Sequence, residues 1–120
     1  MATFSKTILS GSTDGRGIKV VATATAGTLI HTGSATATTL DEIWLYAVNT
    51  SASVVKLTIE WGGVTAPDDL IEYTVEAENG LYLIVAGGLI KGNATALVVR
   101  AFAATTNVIV IHGYVNQITA

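Results

Sequence analysis

Val54-Val-Lys-Leu-Thr-Ile-Glu-Trp61 decides the fold: in an extended chain Val55, Leu57, Ile59 and Trp61 fall on one side and Lys56, Thr58 and Glu60 on the other. Alternation with a period of two marks a β-strand with one buried and one wet face. Residues 70–77 repeat the pattern, with Ile71, Tyr73, Val75 and Ala77 opposed to Glu72, Thr74 and Glu76. Both strands are expected to show one face to solvent.

Three further segments are apolar on both sides: residues 43–48 (Ile-Trp-Leu-Tyr-Ala-Val), 81–86 (Leu-Tyr-Leu-Ile-Val-Ala) and 108–115 (Val-Ile-Val-Ile-His-Gly-Tyr-Val). Strands of this kind need cover on both faces. In a two-layer sandwich only the inner face meets the core, so the outer face must find a loop, a terminus or another subunit, and another subunit is the cover expected here. Gly, Asn, Asp and Ser punctuate the sequence at short intervals, as at Gly11–Gly17, Gly62–Asp69 and Gly87-Gly88, and β-branched residues fill the segments between. The reading is an all-β, antiparallel β-sandwich of jelly-roll type with eight or nine strands. They are expected near residues 3–9, 18–25, 28–32, 42–49, 54–61, 70–77, 80–86, 96–103 and 107–117. Asn79-Gly80 between two alternating runs signals a type I′ hairpin, which requires positive φ at both central residues. The whole of 1–120 reads as a single domain, with residues 1–17 as an extended N-terminal arm.

Composition narrows the function classes. Half of the 120 residues are hydrophobic and 12% are charged, against about 25% charged in an average soluble domain. That balance points to burial against copies or partners. The formal charge of −3, with six scattered Lys and Arg, gives no basic patch, and nucleic acid is excluded as an expected partner. Cysteine is missing from the sequence, which rules out disulfides and thiolate metal sites. The apolar run from Leu81 to Ile90 is half of the ~20 residues a membrane helix needs, and it contains Gly87 and Gly88. No membrane association and no signal-peptide core are read.

Candidate chemistry is thin. His31 and His112 stand in apolar strand contexts with no second ligand at a metal-like spacing. Asp68, Asp69 and Glu72 lack the alternating ligands of a calcium loop and read as a solvated turn. Asp41-Glu42 and the pair Glu76, Glu78 are not placed by any pattern across a cleft, as glycoside hydrolysis would require. No Gly-x-Ser-x-Gly elbow accompanies the serines. Gly11-Ser-Thr-Asp-Gly-Arg-Gly17 lacks the Lys-Ser/Thr ending of a phosphate loop and reads as a turn. The expectation is a non-enzyme with no cofactor and no metal. Aromatic residues remain, and Phe4, Trp44, Tyr46, Tyr82 and Phe102 are the candidate interface anchors, since Trp and Tyr carry much interface energy.

Three stretches resemble a known group: Val48-Asn-Thr-Ser-Ala-Ser-Val-Val-Lys-Leu-Thr-Ile-Glu-Trp-Gly62, Leu89-Ile-Lys-Gly-Asn93 and Val108-Ile-Val-Ile-His-Gly-Tyr114. Their order over residues 40–118 is similar to that of small jelly-roll structural proteins of tailed bacteriophage particles, most like head decoration (cement) proteins. Asn93 stands where that group more often has Asp. The resemblance implies a homotrimer seated on the capsid surface of the virion, made in the host cytoplasm, with the major capsid protein as partner. No catalytic residue is carried over. The alternative is a carbohydrate-binding jelly-roll domain of a phage tail or fibre protein, with a glycan met by exposed aromatics and the carboxylates of Asp68 and Asp69.

Overall fold

The computed structural model describes residues 2–119 and is all-β. Nine strands follow one another: β1 (Thr3–Ile8), β2 (Ile18–Lys19), β3 (Thr28–Thr32), β4 (Thr39–Asn49), β5 (Val55–Trp61), β6 (Leu70–Val75), β7 (Tyr82–Lys91), β8 (Val98–Ala103) and β9 (Ile109–Thr119). They form two antiparallel sheets. One has the order β1-β9-β4-β7 with β2 also on β9; the other has the order β3-β8-β5-β6. Inward residues of both, among them Ile43, Leu45, Leu57, Ile59, Ala101, Ile111 and Val115, make one apolar core, which defines a β-sandwich.

The central ladder is β4 against β9, in unbroken register over eleven pairs from Thr39↔Thr119 to Asn49↔Ile109. Along β4 burial alternates strictly: Thr39, Asp41, Ile43, Leu45, Ala47 and Asn49 point inward, and Leu40, Glu42, Trp44, Tyr46 and Val48 point outward and are half-buried. Gly113 on β9 stands beside the Trp44 carbonyl, where a Cβ would lie 2.0 Å from that oxygen. Only glycine permits this close approach of two backbones.

Several expected features fall elsewhere. The second strand ends at Lys19 instead of running to 25, because the next residues turn away to bond locally: the amides of Val21 and Ala22 both donate to Thr28 Oγ1 at 3.1 Å. The seventh strand continues through Gly87-Gly88 to Lys91. Gly87 takes φ of 74°, the ladder with β4 shifts register there, and a Cβ on Gly88 would meet the Trp61 ring at 2.7 Å. These glycines bulge a strand and do not end it. Asn79-Gly80 is not a hairpin turn, since β6 pairs with β5 and β7 with β4, in different sheets. Positive φ occurs at Glu78 and Gly80, so the pair of adjacent left-handed residues that a type I′ turn needs is not formed.

The polar side of residues 54–61 is not wet either. Lys56 is exposed and pairs with Glu72 at 3.0 Å, but Thr58 and Glu60 are buried. Residues 25–27 fold against this side, where Glu60 accepts hydrogen bonds from Thr25 Oγ1 and, at 2.7 Å, from the Gly27 amide. A carboxylate met by such donors tolerates removal from water. Replacing Gly113 with Ala is expected to cost at least about 2 kcal/mol in unfolding free energy, the scale of overpacking between closely packed groups. Urea denaturation checks it, and an unchanged midpoint would show that β4 and β9 separate without cost.

Candidate functional site

The outward residues of the five-stranded sheet form the candidate site. Residues paired directly across strands share a face, and the register sets them in rows. Phe4, Ile118 and Leu40 form one row; Lys6, Asn116, Glu42 and Leu89 the next; then Ile8, Tyr114, Trp44 and Ala86; then His112, Tyr46 and Leu83. Phe4, Ile8, Leu83 and Leu89 are among the most exposed large apolar residues, Phe4 at 71%. The surface is apolar over most of its extent, and Lys6, Lys19, Glu42 and Lys91 carry its charges.

Contacts within the face fix its aromatic groups. Trp44 and Tyr114 lie parallel, with ring centroids 6.1 Å apart and planes at 9°. Lys6 Nζ sits 4.9 Å from the centroid of Tyr114, a cation–π arrangement. Glu42 Oε1 accepts a hydrogen bond from Trp44 Nε1 at 2.9 Å and another from Asn116 Nδ2 at 2.8 Å. First the indole N–H and then the Asn116 amide hold the Glu42 carboxyl below its usual range, against a small opposing effect of desolvation. Beside this cluster Phe4, Ser5, Lys6, Glu42, Asn116 and Ile118 line a shallow hollow of about 330 Å³.

Of the five anchors read from the sequence, the structure gathers Phe4, Trp44 and Tyr46 on this face. Tyr82, at the start of β7, instead stacks on Tyr73 of the other sheet, with centroids 5.1 Å apart. Hydrogen bonding with Tyr82, and then desolvation, push the Tyr73 hydroxyl above the usual tyrosine range. Phe102 lies on β8 opposite Thr58 of β5, in the four-stranded sheet.

The carboxylates are dispersed. Asp41 and Glu42 occupy opposite faces of β4. The Asp69 carboxylate accepts the Thr65 amide at 3.0 Å inside its own turn, and Glu72 is held by Lys56. Among the described residues no group of three or more His, Cys, Asp or Glu is placed to hold a metal ion.

Inside the sandwich lies a polar cluster that sequence spacing did not reveal. His31 Nε2 donates to Asp41 Oδ2 at 2.8 Å, Asp41 Oδ1 accepts Gln117 Nε2 at 3.0 Å, and His31 Nδ1 accepts the Ser10 amide at 3.0 Å. Asp41 is 1% exposed and His31 6%, so these bonds tie β3, β4, β9 and residue 10 together away from water. The Ser10 hydroxyl accepts the Thr32 amide at 2.6 Å. The cluster is arranged as a structural knot. Ten residues separate His31 from Asp41, with a change of sheet between them, and no local pattern announces such a pair.

Comparison with protein-family models, with curated proteins and with solved structures finds no match to this protein.

Two measurements test the cluster and the face. Asp41→Ala leaves the buried His31 and the half-buried Gln117 donors without an acceptor and is expected to cost about 3 kcal/mol, read by urea denaturation. For Glu42 the lowered native pKa means that the folded state binds fewer protons than the unfolded one. The stabilisation is present above the usual glutamate range and is lost as pH falls through the native value. Trp44→Phe is expected to move the Glu42 titration, followed by carboxylate NMR, up toward that range, with a smaller rise for Asn116→Ala. No movement in either variant would mean that these bonds do not govern its ionisation.

Proposed function

We propose that this protein is a non-enzymatic structural protein of a virus particle, a capsid decoration protein that stabilises the head by bridging major-capsid subunits. The single observation that carries the reading is the outer face of the five-stranded sheet. Four strands at ~4.8 Å spacing and about ten residues at ~3.4 Å rise give a face of roughly 650 Å². That approaches the ~800 Å² each partner contributes to a standard interface. Trp44, Tyr46 and Tyr114 lie near its centre, where anchors contribute most.

The strand order supports the likeness to phage jelly rolls. Taking β1 and β2 as one interrupted strand along β9, the two layers are β1/β2-β9-β4-β7 and β3-β8-β5-β6. Eight strands in two such sheets fit a jelly roll, a fold of viral capsid and lectin domains. On this reading the mechanism is added interface area: the protein self-associates, as a trimer by the resemblance, and clamps its neighbours in the shell. The glycan reading has less support, because the Asp69 carboxylate is spent within its own turn.

Sedimentation equilibrium tests the self-association, and thermal stability of shells assembled with the major capsid protein of the same virus tests the clamp. The native protein is expected to run as a small oligomer and to raise shell stability. The double variant Trp44→Ala, Tyr46→Ala is expected to keep its fold, losing about 1 kcal/mol with the aromatic stack, and to lose both properties. A native protein that is monomeric at all concentrations and leaves shells unchanged would overturn the proposal. Glycan binding in its place would favour the alternative.

A further inference from the structure

The five asparagines of the protein are held very differently. Asn49 is 1% exposed, with its amide donating to Ser53 O and Val75 O and its carbonyl accepting from Ser51. Asn93 Nδ2 donates to Thr95 O at 3.1 Å, and Asn116 Nδ2 donates to Glu42 within the sheet. Asn107 precedes the β-branched Val108. Asn79 precedes Gly80, lies exposed between β6 and β7, and its amide group makes no hydrogen bond among the described residues. Gly80 is also exposed, has φ of 71°, and has nothing within 4 Å of the place where a Cβ would stand.

We infer that Asn79-Gly80 is a site of spontaneous hydrolytic modification. The Gly80 backbone nitrogen, its proton removed, attacks Cγ of Asn79. A new C–N bond forms, the Cγ–Nδ2 bond breaks, and the amide leaves as ammonia, closing a five-membered succinimide. One water then adds to either ring carbonyl and opens the ring, giving aspartate or isoaspartate at position 79. Overall one water is consumed and one ammonia released, with no change of oxidation state. The step needs an unshielded backbone nitrogen, an asparagine amide free to turn onto it and no bulk on the following residue. The surroundings of Asn79 meet all three conditions, whereas hydrogen bonds restrain Asn49, Asn93 and Asn116 and the branched Val108 crowds the nitrogen next to Asn107.

The product matters because of where it falls. A new carboxylate joins Glu76 and Glu78 and adds one negative charge to a protein of formal net charge −3. Isoaspartate also lengthens the backbone of a crossing whose ends are fixed, by the Glu78 amide donating to Asn49 O at 3.0 Å and by Tyr82 stacking on Tyr73. The connection between sheets therefore records the age of the folded protein, whatever partner the sheet face takes.

Ageing the native protein at mildly alkaline and mildly acidic pH, followed by intact-mass and peptide mass spectrometry, tests this. The expected result is the mass gain of an amide-to-acid conversion, confined to the peptide holding Asn79, faster at alkaline pH and divided between aspartate and isoaspartate. Asn79→Gln, an exposed and conservative change, is expected to abolish the gain while leaving the fold intact by circular dichroism. Asp14-Gly15 can form isoaspartate without a change of mass, so the mass gain is the deciding readout. An unchanged mass in the aged native protein, or a gain that maps to Asn93 or Asn107 with Asn79 intact, would overturn the inference.

Discussion

The eleven-pair ladder between β4 and β9 is the constraint on which the other features rest. A slip of one residue would turn every residue of β4 to the opposite face, placing Trp44 and Tyr46 in the core and Ile43 and Leu45 outside. Two polar groups on the inner face oppose that slip. Near one end Asp41 takes hydrogen bonds from His31 on β3 and Gln117 on β9. At the other end Asn49 donates to Val75 O of β6. Both bonds that reach across to the second sheet require one register, so the inward polar groups that cost most to leave unpaired also hold the sheets together at two points. The apolar stretch between them, Ile43, Leu45 and Ala47, is free to pack without direction.

The outward face is the complement of that arrangement. Once Asp41 and Asn49 are turned in, Glu42, Trp44, Tyr46 and Val48 must be turned out, and β9 contributes Val110, His112, Tyr114 and Asn116 to the same side. The one acid in this central group is spent locally, with Glu42 accepting the indole N–H and the Asn116 amide. Lys6 lies over Tyr114. Charges so placed leave little for water to solvate along the middle of the sheet, which is where the low charge content of the sequence becomes visible in space.

Strand positions were legible where the controlling physics is local. Alternation in residues 54–61 and 70–77 locates β5 and β6, and continuous apolar runs locate β4, β7 and β9. Partner choice was not legible: Asn79-Gly80 looks like a hairpin turn, yet the backbone passes there from one sheet to the other, because pairing follows the packing of whole strands and not the turn alone. Gly87-Gly88 looks like a stop and is a bulge: Gly87 takes positive φ where the ladder with β4 shifts register, and the ring of Trp61 leaves no room for a side chain at Gly88. Glu60 looks solvated and is buried, because its partners lie about thirty-five residues earlier at Thr25 and Gly27. For the site, the aromatic content of the doubly apolar strands pointed to Trp44 and Tyr46, and the alternation of β4 sets both on its outward side. Phe4 joins them only through the pairing of β1 with β9, and Tyr82 and Phe102 depart from them because β7 bulges and β8 belongs to the other sheet.

The two sheets are also unequal in how they meet water. On the four-stranded sheet the outer side carries Lys56 paired with Glu72, Arg100 with a guanidinium nitrogen 3.5 Å from Gly27 O, and Glu60 covered by residues 25–27. On the five-stranded sheet, β1 runs along the open side of β9 with all six of its residues exposed. Buried apolar area therefore contributes little to holding β1, and its backbone ladder with β9 has to suffice. An edge strand of that kind is open to pairing with another polypeptide, whereas β7 at the opposite edge is bulged twice against β4, a feature that turns an edge away from such pairing. The apolar face and the regular edge thus adjoin at Phe4 and Ile8. Contact with a neighbour at that corner would cover the most exposed aromatic of the protein together with the regular outer edge of β1, leaving the charged sheet to the solvent.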